Sequence, residues 1–194
     1  MRTASGSTGT RFSEPPREDI IGNAPEHGRR PGTQAGLAGF DRILVVRLGP
    51  GEDVLPAMER LLLDAAMPTG VILGGVASLR HASVRNIRSF PDAWPIRDED
   101  RTATTVPGPL EVLTMQGNVA TRAEGGLVIH CHISFSVGAP PAVTYGGHLI
   151  ENTIVATTCE VYVAGLADLD VRRELDDETR SHEIAVRPPL RPRT

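Results

Sequence analysis

No lysine occurs anywhere in this 194-residue chain, so every one of its 20 basic residues is arginine. Arginine chosen for bidentate contacts is one explanation, and a genome-wide codon bias toward G and C is the simpler one. Against 24 acidic residues the formal charge is -4, which is not the balance of a protein built around nucleic acid. Apolar runs of the roughly 20 residues that a helical membrane span needs are missing, and Met1 to Thr10 holds no hydrophobic stretch of a secretory kind. The expectation is a cytoplasmic protein with no membrane partner. Only two cysteines are present, Cys131 and Cys159, both at inward-looking strand positions, so they read as small core residues of a protein in a reducing compartment. Catalytic signatures are equally scarce. There is no Ser/His/Asp arrangement with recognisable flanks, no phosphate loop and no Cys/His pair in an electropositive setting.

What is present is a cluster of histidines. His130 and His132 stand two apart in a His-Cys-His run, and His148 follows Gly146-Gly147. Residues two apart in a strand share a side, so His130 and His132 project together while Cys131 faces away. The flanks agree: Leu127, Ile129, Cys131, Ile133 and Phe135 share one parity, while Val128, His130, His132, Ser134 and Ser136 share the other. The link from Val137 to Tyr145 is long enough to bring His148 back beside the strand, where Gly146-Gly147 permits a close backbone approach. Three neutral imidazoles with one open position form a known zinc-type ligand set. The plain alternative is an amphipathic strand with two solvent-facing histidines.

Composition divides the chain in three. Residues 1–39 are rich in Gly, Pro, Ser and charge, too poor in aliphatics to offset the entropy of ordering, and are expected to be a disordered tail. Within them Gly28-Arg29-Arg30-Pro31-Gly32 is the one DNA-like stretch, and nearby Glu14, Glu18, Asp19 and Glu26 nearly cancel its charge. Residues 40–187 read as one folded domain, and residues 188–194 as a Pro/Arg tail.

Inside the domain, Arg42 to Leu48 reads as a strand stopped by Gly49-Pro50-Gly51. Val54, Leu55, Met58, Leu61, Leu62 and Ala65 then line one face of a helix whose first turn is expected to hold Glu52 and Asp53, with Met58 in the core. Thr69 to Gly74 and Leu79 to Arg88 read as two strands separated by a bend or bulge at Gly74-Gly75, and Phe90 to Val106 as an insertion loop. Pro109 to Gly117, Gly125 to Ser136 and Thr153 to Val163 read as strands, Asp168 to Thr179 as an acidic turn or short helix, and His182 to Val186 as an edge strand.

The order of these elements resembles the plants-and-prokaryotes-conserved (PPC) domain, found alone in bacteria and archaea and joined to AT-hooks in plants. The resemblance runs from about Asp41 to Val186. It is carried by Gly51-Glu52-Asp53, the Gly74-Gly75-Val76-Ala77-Ser78-Leu79-Arg80 run, Leu110 to Asn118, His130 to Ser134, Gly146-Gly147-His148-Leu149 and Thr157 to Val161. It implies an α+β fold: a mixed, mostly antiparallel β-sheet packed with one main amphipathic helix and assembled as a homotrimer. It also implies the bacterial stand-alone type, in which His130, His132 and His148 hold zinc or a similar divalent metal. Two departures stand out. Val137 to Pro141 replaces a short acidic turn, and Gly28-Arg29-Arg30-Pro31 replaces the Arg-Gly-Arg-Pro core of an AT-hook.

Three functions fit these readings. The favoured one is a metal-binding, homotrimeric binding or regulatory module, with DNA association implied by the family alone. The alternative is a zinc-dependent hydrolase or lyase acting on a small substrate, for which Glu151, and after it Glu111 or Glu160, would be the carboxylate that moves a proton. A metal that only stabilises the trimer is the third.

Overall fold

The computed structural model describes residues 33–138 and 140–187. Most of the expected tail at 1–39, including Arg29 and Arg30, and all of that at 188–194 lie outside them.

Alternating apolar and polar residues dictate strands for most of the described chain. They run β1 (Gly39–Leu48), β2 (Gly70–Ile87), β3 (Arg101–Arg122), β4 (Leu127–Val137), β5 (Thr144–Leu149), β6 (Ile154–Ala167), β7 (Asp170–Leu175) and β8 (His182–Arg187). One sheet takes them in the order β1-β6-β2-β5-β4-β3-β7-β8. A further β2–β3 pairing closes β2, β5, β4 and β3 into a ring. All pairings are antiparallel except β3 with β7. The fold is thus the mixed, mostly antiparallel sheet with one helix that was expected, although helix is a small part of it.

That helix, α1 (Val54–Asp64), buries Val54, Ala57, Met58 and Leu62 against the sheet. Its inner face meets Leu48 and Val46 of β1, Val161 and Val163 of β6, and Phe135 of β4 in one continuous core. Each fully buried aliphatic or aromatic side chain there contributes about 1.5–3 kcal/mol of transfer free energy. Met58 lies in the core, as its spacing requires.

Four local expectations are corrected. Thr69 to Gly74 and Leu79 to Arg88 are parts of the single strand β2; Gly74-Gly75 bends it, with a register shift against β6 between Ile72 and Gly74, and does not end it. Only the first part of the insertion loop is irregular. A short 3₁₀ turn at Asp98–Asp100 leads into β3, whose first residues pair along the far end of β2, Arg101 opposite Ile87 and Thr105 opposite Ser83. Asp168 to Thr179 is neither helix nor a simple turn: β7 occupies Asp170–Leu175, because pairing with β3 and β8 outweighs an acidic composition that favours turns. Asp53, finally, precedes the helix without capping it. Its carboxylate accepts the backbone N–H groups of Asn152 and Thr153, at 2.7 and 3.3 Å, and so ties the helix start to the segment between β5 and β6.

Candidate metal centre

His130 and His132 sit on β4 and His148 on β5, and the β4–β5 register sets His132 directly opposite His148. Gly146 makes that register close. A Cβ there would lie 2.7 Å from the Ile133 carbonyl oxygen, so only glycine lets β5 lie flush on β4. On the other side of β4, Gly117 of β3 faces Cys131, and a Cβ there would come within 2.0 Å of the His130 carbonyl oxygen.

The three rings form a compact cluster. Centroids are 5.3 Å apart for His130 and His132, 4.9 Å for His130 and His148, and 5.4 Å for His132 and His148. One nitrogen from each ring lies within 4.8 Å of the others, and the Nε2 atoms of His130 and His132 are 3.2 Å apart. Two ligands of one ion held at about 2.0–2.1 Å stand roughly that far apart, so this pair already suits a shared ion and His148 lies within rotamer reach. His132 is exposed, whereas His130 and His148 are half-buried. Burial, aided by Arg173, His132 and Arg85, pushes His130 below its ordinary value, and burial, aided by His130, Arg85, His132 and Arg101, pushes His148 down to about 4. Both are thereby held as neutral imidazole, the form that binds metals.

Arginines surround the cluster. Arg85 of β2 pairs with His148 across the β2–β5 contact. Arg173 of β7 is buried, and one of its N–H groups donates to Nδ1 of His130 at 2.9 Å while another reaches Oδ1 of Asn118 at 2.9 Å. Arginine has no acceptor, so Nδ1 of His130 accepts and its proton sits on Nε2, directed at His132. Histidines that ligate through Nε2 usually donate from Nδ1 to an acceptor, so Arg173 holds His130 in the opposite tautomer. Ligation by this ring would require that contact to yield.

Carboxylates are sparse here. Arg85, Asn86, Ile87, Arg101 and the triad line the hollow in front of the rings, without an acidic residue. Glu151 is exposed between β5 and β6 and lines no hollow at the triad. Glu111 stands opposite Ser78 on the β2–β3 ladder, and Glu160 opposite Arg47 on the β1–β6 ladder. The residues that sequence reading missed are Arg85, Arg101 and Arg173. The polar parity of His81, Ser83 and Arg85 was the one available signal.

A mostly antiparallel domain carrying a solvent-open histidine triad is the class that this fold and site define. The chain belongs to the Plants and Prokaryotes Conserved (PCC) domain family, whose model matches residues 37–167. Among solved structures it is similar to a metal-containing protein from Archaeoglobus fulgidus, at 21% identity and a TM-score of 0.63, covering 78% of this chain and 98% of that one. A PPC protein from Pyrococcus horikoshii gives 20% identity and a TM-score of 0.63, with 77% and 96% covered. A third, from Ralstonia eutropha JMP134 and named provisionally as DNA-binding, gives 21% identity and a TM-score of 0.60, with 73% and 89% covered. Part of the bifunctional protein GlmU of Synechococcus sp. (strain JA-2-3B'a(2-13)) is 26% identical over 147 residues; the match takes in 76% of this chain but spans only 20% of that relative's length.

Proposed function

We propose that the chain is a homotrimeric module of this family whose His130, His132 and His148 hold one divalent ion, zinc or a close relative, and that it acts by binding and regulation. The observation that carries this reading is the convergence of three imidazole nitrogens within 4.8 Å on a surface-open hollow free of carboxylates. A bound ion would supply a Lewis-acidic centre with an open coordination position. The metal content of the Archaeoglobus relative is in keeping with it.

Trimer formation draws support from the outer face of the sheet. Val45 of β1 and Tyr162 of β6 stand opposite each other with their side chains exposed, Gly74 of β2 adjoins Tyr162, and Val76 and Leu113 are exposed on neighbouring strands. Such an apolar patch is costly in water and suits burial against further copies. The DNA association suggested by the name of the Ralstonia protein gains no help from a formal charge of -4. Binding is favoured over hydrolysis or lysis because a metal-bound water needs a base, and Glu151 is not among the residues that line the hollow.

Native mass spectrometry with elemental analysis, run on wild type beside a His130→Ala/His132→Ala variant, tests this reading. A trimer with about one zinc per chain, lost from a variant that still assembles, is the expected result. A wild type free of metal after zinc loading sinks the metal site, and a monomeric wild type sinks the assembly.

A further inference from the structure

The triad forms one wall of a cationic recess that metal binding leaves unexplained. Two adjoining hollows of about 520 and 640 Å³ share Arg85, Arg101, His130 and His148. The larger adds Arg122, Arg173 and Arg180, so five arginines face a single carboxylate, that of Glu183. In a chain of net negative charge, this gathering is the reverse of the average surface. Few of these cations are neutralised. Arg101 reaches Asp98 at 3.3 Å and Arg173 approaches Glu183 at 4.0 Å, whereas Arg85, Arg122 and Arg180 form no ion pair among the described residues. Arg173 is only 5% exposed, and its Nε is buried without a hydrogen-bond partner. A buried donor of this kind is costly unless something supplies an acceptor.

We propose that this recess binds a small molecule bearing an oxyanion, a phosphate ester or a carboxylate, which the Arg85 and Arg101 guanidinium groups grip beside the histidines while the buried Arg173 adds its positive charge from behind His130. The volume lies in the range of small-ligand sites. Guanidinium forks match the two oxygens of a carboxylate or phosphate, and an anion placed there offsets charges that otherwise repel one another. The strand pairings bring the donors from different directions: Arg85 lies across from His148 and Arg101 opens β3 opposite Ile87, while Arg173 contributes charge from β7. The site does not require the metal. A DNA backbone is the poorer fit, since the arginines line a concavity and not an extended face.

Isothermal titration of the full chain, at constant ionic strength in chloride, with inorganic phosphate and separately with malonate tests the proposal. Chelator-treated and zinc-loaded wild type are compared with Arg85→Gln, Arg101→Gln and, as a control outside both hollows, Arg47→Gln. The expected result is saturable binding of at least one anion by the chelator-treated protein, weakened roughly tenfold by Arg85→Gln and by Arg101→Gln and unchanged by Arg47→Gln. The anion that binds more tightly names the source. Absence of saturable binding in both forms overturns the proposal. So does binding that needs zinc and survives both arginine changes, which would put the anion on the metal alone, and so does tight binding of a short A·T-rich duplex with neither small anion bound. Anion binding by a protein that takes up no zinc would defeat the metal reading and leave this one standing.

Discussion

The two faces of β4 differ as sharply as any two regions of the molecule. Cys131, Ile133 and Phe135 point into the core and are all but fully buried, while His130 and His132, one residue away from Cys131, reach the cationic hollow. On the inner face side-chain volume decides what is tolerated, because these residues pack into the apolar core. On the outer face charge and donor direction decide it. One strand therefore sets the stability of the fold and the chemistry of its surface through alternate residues, and the two can be perturbed separately.

The strongest break comes from the inner face. Phe135 is the largest fully buried side chain among the described residues, and Phe135→Ala should cost about 3–5 kcal/mol in urea unfolding. An equal loss from His132→Ala, a change at an exposed ring, would erase the contrast between the faces. A subtler change sharpens the outer face. In Arg173→Gln the side-chain carbonyl can accept a hydrogen bond from Nδ1–H of His130, where the arginine can only donate, so zinc affinity measured against a competing chelator should rise by roughly tenfold. Unchanged or weaker binding would mean that the arginine contact does not govern the tautomer. The smallest effect belongs to the thiols. Burial pushes Cys131 up to about 12 and Cys159 up to about 11, from an ordinary value of 9.0. The folded state then keeps protons that the unfolded state releases above pH 9, so stability should fall as pH rises from 9 toward 11. The urea midpoint at pH 8 and pH 10 reads this directly, and iodoacetamide at pH 8 should label neither thiol until the chain unfolds.

How much of this was legible in the sequence follows from the range of each interaction. The two parities of β4 and the return of His148 on β5 were readable, because strand alternation and a glycine pair are local signals. The continuity of β2 was not. Gly74 and Gly75 look like punctuation, and only the ladder with β6 carries the strand through them. Arg101 was hidden in a charge run that reads as a loop, and its strand exists because it pairs with Ile87 across the β2–β3 ladder. Arg173 lay in an acidic segment, and nothing near it in the chain announces that β3, paired beside it in parallel, brings it to His130. Lone arginines acquire meaning from partners tens of residues away, which period-two patterning does not encode.

The β1–β6 ladder also bears on how the chain is made. Among the described residues β1 pairs only with β6, Leu48 opposite Cys159 and Gly39 opposite Ala167. A ribosome adding about 5–20 residues per second has finished β1 on the order of ten seconds before it completes that partner. During the wait, Ile43, Leu44, Val45 and Val46 lack the β6 ladder that pairs them in the folded state, so this stretch stays open to mispairing until synthesis nears its end.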